Sequence, residues 1–533
     1  MLAHQCSARA YLATFVTIVV IILLLTADRL VHHSHALAHL PAGKTSSDTT
    51  QTNFERPSKP LPNESDTPGA SASNPEDDDS IEGPCNRAVR FLRSKELGLS
   101  NKIQYSRRCI RPVHAEIDRE EVANVSSLLI TGTTVLDLNG DCNRIALPPC
   151  EPLTLHVPPA YPPQQGQYGH LLFGVASSYE RLQDALPVFS HWLSGSGALF
   201  VAVVSNADSP DHKYDIAALE ASYRQQNISA IITRPRLKQS LPRLDTAEDA
   251  ELSRPAAVEQ LHFLLIEDML NVATPQTQWL GVLDDDTFFP ALHPLDLTLR
   301  QHDHTRPRWL GALADNWVSM TIWGFMAYGG AGTFLSVPLA KQLHPHLRDC
   351  IRQTKIVSGD GMLKECVYAH STTKLTLVEG LHQHDIMGDP SGFFESGRKT
   401  LSIHHWKSWY HAPVAQMAAV AKVCGDCFLQ RWRFGRDTLL ANGYSISVYR
   451  DGVDKLDLDR VEGTFNDPDA KFDFVYAPFR PKLSGDQKKS YRLEKVDGDI
   501  DRGERFRQVY VHRAPRGEGS EPVDEVVELV WEV

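Results

Sequence analysis

Hydrophobic and polar positions divide the chain into stretches of distinct texture. Residues 11–27 are one uncharged apolar run. A membrane-crossing helix needs about 20 apolar residues, with a range of about 17–25. The run therefore predicts a transmembrane signal-anchor at 11–27 behind a cytosolic tail at 1–10. A cleaved signal peptide ending at Ala36-Leu37-Ala38 is the competing reading. Residues 41–84 are rich in Ser, Thr, Pro, Asp and Asn and almost free of large apolar side chains. Such composition cannot bury enough surface to offset chain entropy, and a disordered stem is expected over 28–84.

Apolar patterning resumes near residue 85. Residues 85–167 hold four cysteines and end in a Pro-rich stretch, predicting a small stapled subregion. From residue 168 short apolar runs alternate with helical spacing. His170–Ala176, Ala198–Val204, Ile228–Thr233 and Trp279–Leu283 read as buried strands. Ser177 and Ser178 open a helix reaching about Leu193, and Val258, Leu261, Leu264, Leu265, Met269 and Leu270 share a helical face. Strands alternating with helices imply an α/β domain over 168–430, with a mainly parallel open sheet and ligands at its strand C-termini. Beyond residue 430, Tyr444–Tyr449, Gln508–His512 and Val526–Trp531 alternate or run apolar, predicting a β-rich appendage over 431–533.

Composition narrows the functional classes. The 533 residues carry 54 Lys and Arg against 66 Asp and Glu, a net charge of −12. That balance argues against nucleic acid as a partner, because a phosphate-binding surface is basic. Nine cysteines occur, eight of them beyond the apolar run. An even number beyond an anchor suggests up to four disulfides in an oxidising lumen. Cys424-Gly-Asp-Cys427 reads as a structural disulfide, with a zinc half-site or redox pair as alternatives. Sequons at Asn63, Asn124 and Asn227 suit the same secretory compartment.

Four features carry candidate chemistry. Asp284-Asp285-Asp286 follows the strand Trp279–Leu283 directly. Alternate side chains of an extended segment point the same way, so Asp284 and Asp286 share one side. Paired carboxylates repel unless a cation neutralises them, and hard oxygen ligands suit Mn²⁺ or Mg²⁺. A solvated acidic turn is the plainer alternative. Gly329-Gly330-Ala331-Gly332 allows close backbone approach to a ligand, and otherwise marks a turn before a helix at Pro338–His346. Asp360, flanked by Gly359 and Gly361, opens a helical stretch. It is a candidate general base or simply a helix cap. His382-Gln383-His384-Asp385 and His404-His405 supply imidazoles that can complete a Mn²⁺ site.

As a set, these features resemble the Fringe-like glycosyltransferases of family 31, including their plant and fungal branch of unknown function. The resemblance rests on Leu172–Ser178, Trp279–Thr287, Met326–Gly332, Cys350 with Asp360 and Cys366, Leu381–Asp385 and Ile403–His405, in that order. It implies a GT-A fold and inverting transfer of a sugar from a UDP-sugar donor to a hydroxyl of a glycan or glycoprotein. It also implies a type II membrane protein of the Golgi or endoplasmic reticulum with its catalytic domain in the lumen. By this resemblance Asp284 and Asp286 bind Mn²⁺, joined by His405 or His382, with His405 slightly favoured. Ser177, Ser178, Asp284, Asp285, Gly329, Gly330, Ala331 and Gly332 line the nucleotide sugar, and Asp360 is the base. The family often carries paired acids where this chain has Gly359-Asp360-Gly361. A catalytically silent lectin-like or scaffolding relative is therefore the alternative reading. A metal-dependent hydrolase would need a second carboxylate cluster, which the sequence does not offer.

Overall fold

The computed structural model describes residues 87–242, 256–465, 473–498, 505–516 and 521–532. The expected tail, anchor and stem lie outside these residues. Among the described residues no helix is long and apolar enough to cross a membrane.

The first of two sheets is a mixed α/β layer. Its strands are β1 (Leu171–Ser177), β2 (Leu199–Val204), β3 (Ser229–Thr233), β4 (Trp279–Leu283), β5 (Trp309–Gly311), β6 (Thr333–Ser336) and β7 (Leu375–Leu377), in the order β7-β5-β6-β4-β1-β2-β3. Strands β4, β1, β2 and β3 run parallel, and β6 is antiparallel to both of its neighbours. The continuous apolar runs arise because both faces are covered. Phe173, Val175, Phe200 and Ala202 face one core with helix α1 (Tyr179–Leu193). Leu172, Val201, Val203, Leu280 and Val282 face a second core with helix α2 (Val258–Val272). Gly174 lets α2 lie close, since a Cβ there would stand 2.8 Å from Met269 Sδ.

The second sheet corrects the expected division of the remaining chain. The subregion over 85–167 and the appendage over 431–533 are not separate layers. They build one ten-stranded sheet. Lys102–His114 pairs in parallel with the distant strand Val523–Trp531, and Val122–Val125 pairs in parallel with Arg431–Phe434. The C-terminal strands alone would leave unpaired edges, which invite further pairing. The N-terminal strands cover both ends, and Ile103 and Tyr105 share a core with Val509, Val511 and Val526. Among the described residues three disulfides form, Cys109–Cys150, Cys350–Cys366 and Cys424–Cys427. The Cys424–Cys427 bridge matches the structural reading of that motif. Cys85 lies outside the described residues.

Candidate functional site

Three chain segments meet at one sheet edge. Strand β4 ends there and releases Asp284-Asp285-Asp286. Antiparallel pairing of Thr333 with Val282 carries the turn Gly329–Gly332 to the same edge. Two backbone hydrogen bonds between Phe288 and Ile403, at 2.8 and 2.9 Å, then lay His404 and His405 beside the aspartates. Thr287 fastens the corner: its hydroxyl accepts from the Asp284 N–H at 3.1 Å and donates to the Gly330 carbonyl at 3.0 Å.

The three aspartates diverge as alternation requires. Asp285 turns back to α1, accepting from the Ser177 hydroxyl and, in bidentate fashion, from the Arg181 guanidinium. Lys407 Nζ adds a third partner at 3.8 Å. Ser178 caps α1 by accepting from the Arg181 N–H. Of these three residues expected along the nucleotide, Ser177 and Asp285 thus hold each other and Ser178 holds the helix start. Asp284 and Asp286 face the other way. His404 Nε2 stands 3.0 Å from Asp286 Oδ1 and 3.4 Å from Asp284 Oδ2.

His404 is the imidazole at the carboxylate pair, whereas the sequence reading favoured its neighbour. Its ring is buried, and Nδ1 lies 3.0 Å from the Gln383 carbonyl. Donation of Nδ1–H to that carbonyl directs Nε2 at the carboxylates, the arrangement that orients metal-binding histidines. His405 stacks on Trp409 at 4.0 Å, with Nε2 3.5 Å from Asp385 Oδ1. Donor atoms of Asp286, His404 and His405 still lie within 4.8 Å of one another. His382 is engaged elsewhere, with Nε2 3.0 Å from the Lys399 carbonyl and Nδ1 3.7 Å from Asp315. The O/N donor set of Asp284, Asp286, His404 and His405 fits Mn²⁺ or Mg²⁺ better than a soft metal. Cys350, Cys366 and His370 also group, but the disulfide leaves no thiolate there.

Asp360 opens helix α3 (Gly359–His370), yet Ser358 is the cap, accepting from the Gly361 N–H at 3.1 Å. Asp360 Oδ2 instead accepts from the Gly329 N–H at 2.9 Å, while Oδ1 is buried with no hydrogen-bond partner. Burial raises this carboxyl, His262 opposes and Asp284 adds to the rise, leaving it pushed up to about 6. A carboxyl poised there can take a proton near neutral pH.

His262, on α2, is a site residue that sequence reasoning missed. Its Nε2 lies 3.3 Å from Asp284 Oδ1. Burial lowers this imidazole, but Asp284 and Asp360 outweigh burial and raise it. Burial alone would raise Asp284, yet His262 and His404 hold it well below the ordinary carboxylate range. For His404, the two aspartates overcome burial and push it up to about 10.

The glycines allow this convergence. A Cβ on Gly329 would stand 2.9 Å from Asp360 Oδ1 and 3.1 Å from His262. One on Gly330 would overlap the His404 ring, with Nε2 at 2.6 Å. One on Gly359 would meet His262 Nδ1 at 2.5 Å, and one on Gly361 would meet Ile356 Cβ at 2.7 Å. The neighbours of Asp360 are therefore glycines for steric reasons, which explains why no second acid flanks it.

No curated protein matches the chain. Among solved structures, mouse xyloside xylosyltransferase 1 in its apo form is 11% identical, with a TM-score of 0.26 over 39% of this chain and 85% of that one. An active-site mutant of LgtC is 10% identical, with a TM-score of 0.29 over 47% of this chain and 94% of that one. The catalytic domain of Drosophila beta1,4galactosyltransferase 7, in complex with xylobiose, is 10% identical, with a TM-score of 0.21 over 68% and 94%. Likeness of this degree fixes neither fold nor activity. Residues 320–518, which span the glycine turn, Asp360 and both histidine segments, match the family described as "Protein of unknown function, DUF604".

Proposed function

We propose that the chain is a metal-dependent glycosyltransferase of GT-A type that moves a sugar from a UDP-sugar to an acceptor hydroxyl with inversion. One observation carries this reading: the Asp284/Asp286/His404 cluster and Asp360 meet at the same glycine turn, Asp360 at Gly329 and His404 at Gly330. Asp284, Asp286, His404 and His405 would hold Mn²⁺ or Mg²⁺, which supplies charge to bind a diphosphate and offset its departure. Asp360 accepts the proton of the acceptor hydroxyl. The Gly329 N–H orients Oδ2 and leaves Oδ1 available for that proton. Gly329 leaves room for Asp360 Oδ1 and the His262 ring, and Gly330 for the His404 ring. Inverting transfer needs one base and a charge-stabilised diphosphate leaving group; Asp360 would serve as the first and the bound cation would stabilise the second.

Secretory residence belongs to the same proposal. Three disulfides suit an oxidising lumen, the sequon residues Asn124 and Asn227 are exposed, and residues 11–27 have the composition of an anchor.

The test is UDP release by the full chain with Mn²⁺ and a panel of UDP-sugars. At least one donor should be consumed with acceptor, and Asp360→Asn should lower transfer by about 10²–10⁴-fold while UDP binding persists. A silent scaffold would bind UDP or glycan and turn over none of the panel.

A further inference from the structure

Among the described residues, five strands pair on one side only: Val122–Val125, Thr134–Asp137, Glu151–Val157, β3 (Ser229–Thr233) and β7 (Leu375–Leu377). An open strand edge is a template for a strand of another chain, and proteins close it with charge, proline, brevity or a cover. Three of the five do so within their own sequence. Thr134–Asp137 ends on a carboxylate, Glu151–Val157 carries Glu151, Pro152 and His156, and β7 is three residues long with Lys374 before it. The other two do not. Val122–Val125 reads Val-Ala-Asn-Val and β3 reads Ser-Ala-Ile-Ile-Thr, with neither charge nor proline. These are the two that carry a sequon. Asn124 lies inside the first strand with Ser126 just beyond it, while Asn227 stands two residues before β3 and Ser229 opens it. All four residues are exposed.

The surroundings of Asn227 hold it at that edge. Its N–H donates to the Arg224 carbonyl at 2.9 Å and its carbonyl accepts from the Gly195 N–H at 2.8 Å. Its φ of 56° is a left-handed conformation that asparagine tolerates. The middle of β3 has a cover of its own. Glu220 Oε2 accepts from the Ile232 N–H at 2.8 Å, and the Arg224 guanidinium donates to the Ala230 carbonyl at 3.3 Å. That cover stops short of the Ser229 end, where Asn227 stands.

We propose that Asn124 and Asn227 carry N-linked oligosaccharides that close these two edges, one on each sheet, against strand pairing with another chain. The inference rests on the secretory residence proposed above and goes beyond it by giving the glycans a structural role. Attachment is a substitution: Asn Nδ2 takes the anomeric carbon of a polyprenyl-diphosphate oligosaccharide in the lumen, a C–N bond replaces the C–O bond, and the amide proton leaves with the diphosphate. The product is bulky and hydrated, so it excludes an approaching strand while the sheet keeps its own hydrogen bonds.

The test is expression of the full chain in a yeast secretory host, with site occupancy read by peptide mass spectrometry and association by light scattering and thioflavin fluorescence. Both asparagines should be occupied. Ser126→Ala with Ser229→Ala removes both glycans and leaves the edges neutral, and should associate at a roughly tenfold lower concentration than wild type. Asn124→Lys with Ser229→Lys also removes both glycans but charges the edges, and should stay as dispersed as wild type. Endoglycosidase H trimming of folded wild type should reproduce the alanine result, which separates loss of the cover from a folding defect. A bare Asn124 or Asn227 overturns the proposal, as does a trimmed wild type that stays dispersed. Equal association of the alanine and lysine variants overturns it too, because edge pairing is then not what the glycans block. If Asn63 is occupied while Asn124 and Asn227 are bare, only this proposal fails. If no sequon is occupied and the chain never enters the lumen, secretory residence fails with it.

Discussion

Gly330 offers the sharpest perturbation of the site, because it bears no charge and coordinates nothing. In Gly330→Ala the new methyl would overlap the His404 ring, with Nε2 at 2.6 Å. Ordinary contact lies near 3.5–4.0 Å and other ring atoms lie nearer still, so the ring must retreat by roughly 1.5 Å. It has little room. It is buried, Nδ1 is held by the Gln383 carbonyl and Nε2 by Asp284 and Asp286. Overpacking of this kind costs about 1–3 kcal/mol. If the strain falls on the metal site, divalent affinity drops about 5- to 150-fold. The assay is calorimetric titration of Mn²⁺ into the chain saturated with UDP, with thermal unfolding measured in parallel. Gly485→Ala is the control, since nothing lies within 4 Å of a Cβ there, and it should change stability by less than about 0.5 kcal/mol. Unchanged Mn²⁺ affinity in Gly330→Ala would refute the claim that His404 holds the cation.

Other expectations follow from the same geometry. Asp286→Ala should abolish both the Mn²⁺-dependent UDP melting shift and transfer, and a retained shift would remove Asp286 from the cation site. Reduction of Cys350–Cys366, or its replacement by serines, frees the helix Gly359–His370 that carries Asp360. The bridge closes a loop of separation 16, so urea unfolding should show a loss of about 3 kcal/mol. Glu395 is buried against Lys488, Arg492 and Ser445. Burial alone would raise its carboxyl, but Lys488 and Arg492 outweigh burial and hold it at about 2. A depressed acid contributes stability above its ordinary range and loses that contribution as pH falls. Stability should therefore decline progressively from about pH 4.5 towards pH 2. Glu395→Gln should flatten that decline and cost about 3–5 kcal/mol at neutral pH. A Glu395→Gln chain that unfolds at the wild-type urea midpoint would contradict the buried network.

The α/β layer is legible in the sequence because its strands are buried on both faces. Leu171–Ser177, Leu199–Val204 and Trp279–Leu283 consequently read as unbroken apolar runs. The Asp triplet is legible because it interrupts such a run abruptly. The ten-stranded sheet is not, since Lys102–His114 carries Lys, Arg and His along much of its length and finds its partner more than 400 residues away. Pairing at that distance leaves no local periodicity. Within the pair His404-His405, the ring that meets the carboxylates depends on the left-handed backbone of His405, φ 57°, which neighbouring residues do not signal. His262 hides between Leu261 and Phe263 on an apolar helix. The signal that points to it lies elsewhere, in the glycines at 329 and 359 that make room for its ring.

The most direct measurement of the central claim is pulsed electron paramagnetic resonance of Mn²⁺ bound to the full chain with UDP. The account expects a bound ion with nitrogen coupling from imidazole, lost or halved in His404→Ala, and no bound ion in Asp286→Ala. Bound Mn²⁺ without nitrogen coupling, or coupling unchanged in His404→Ala, would contradict it.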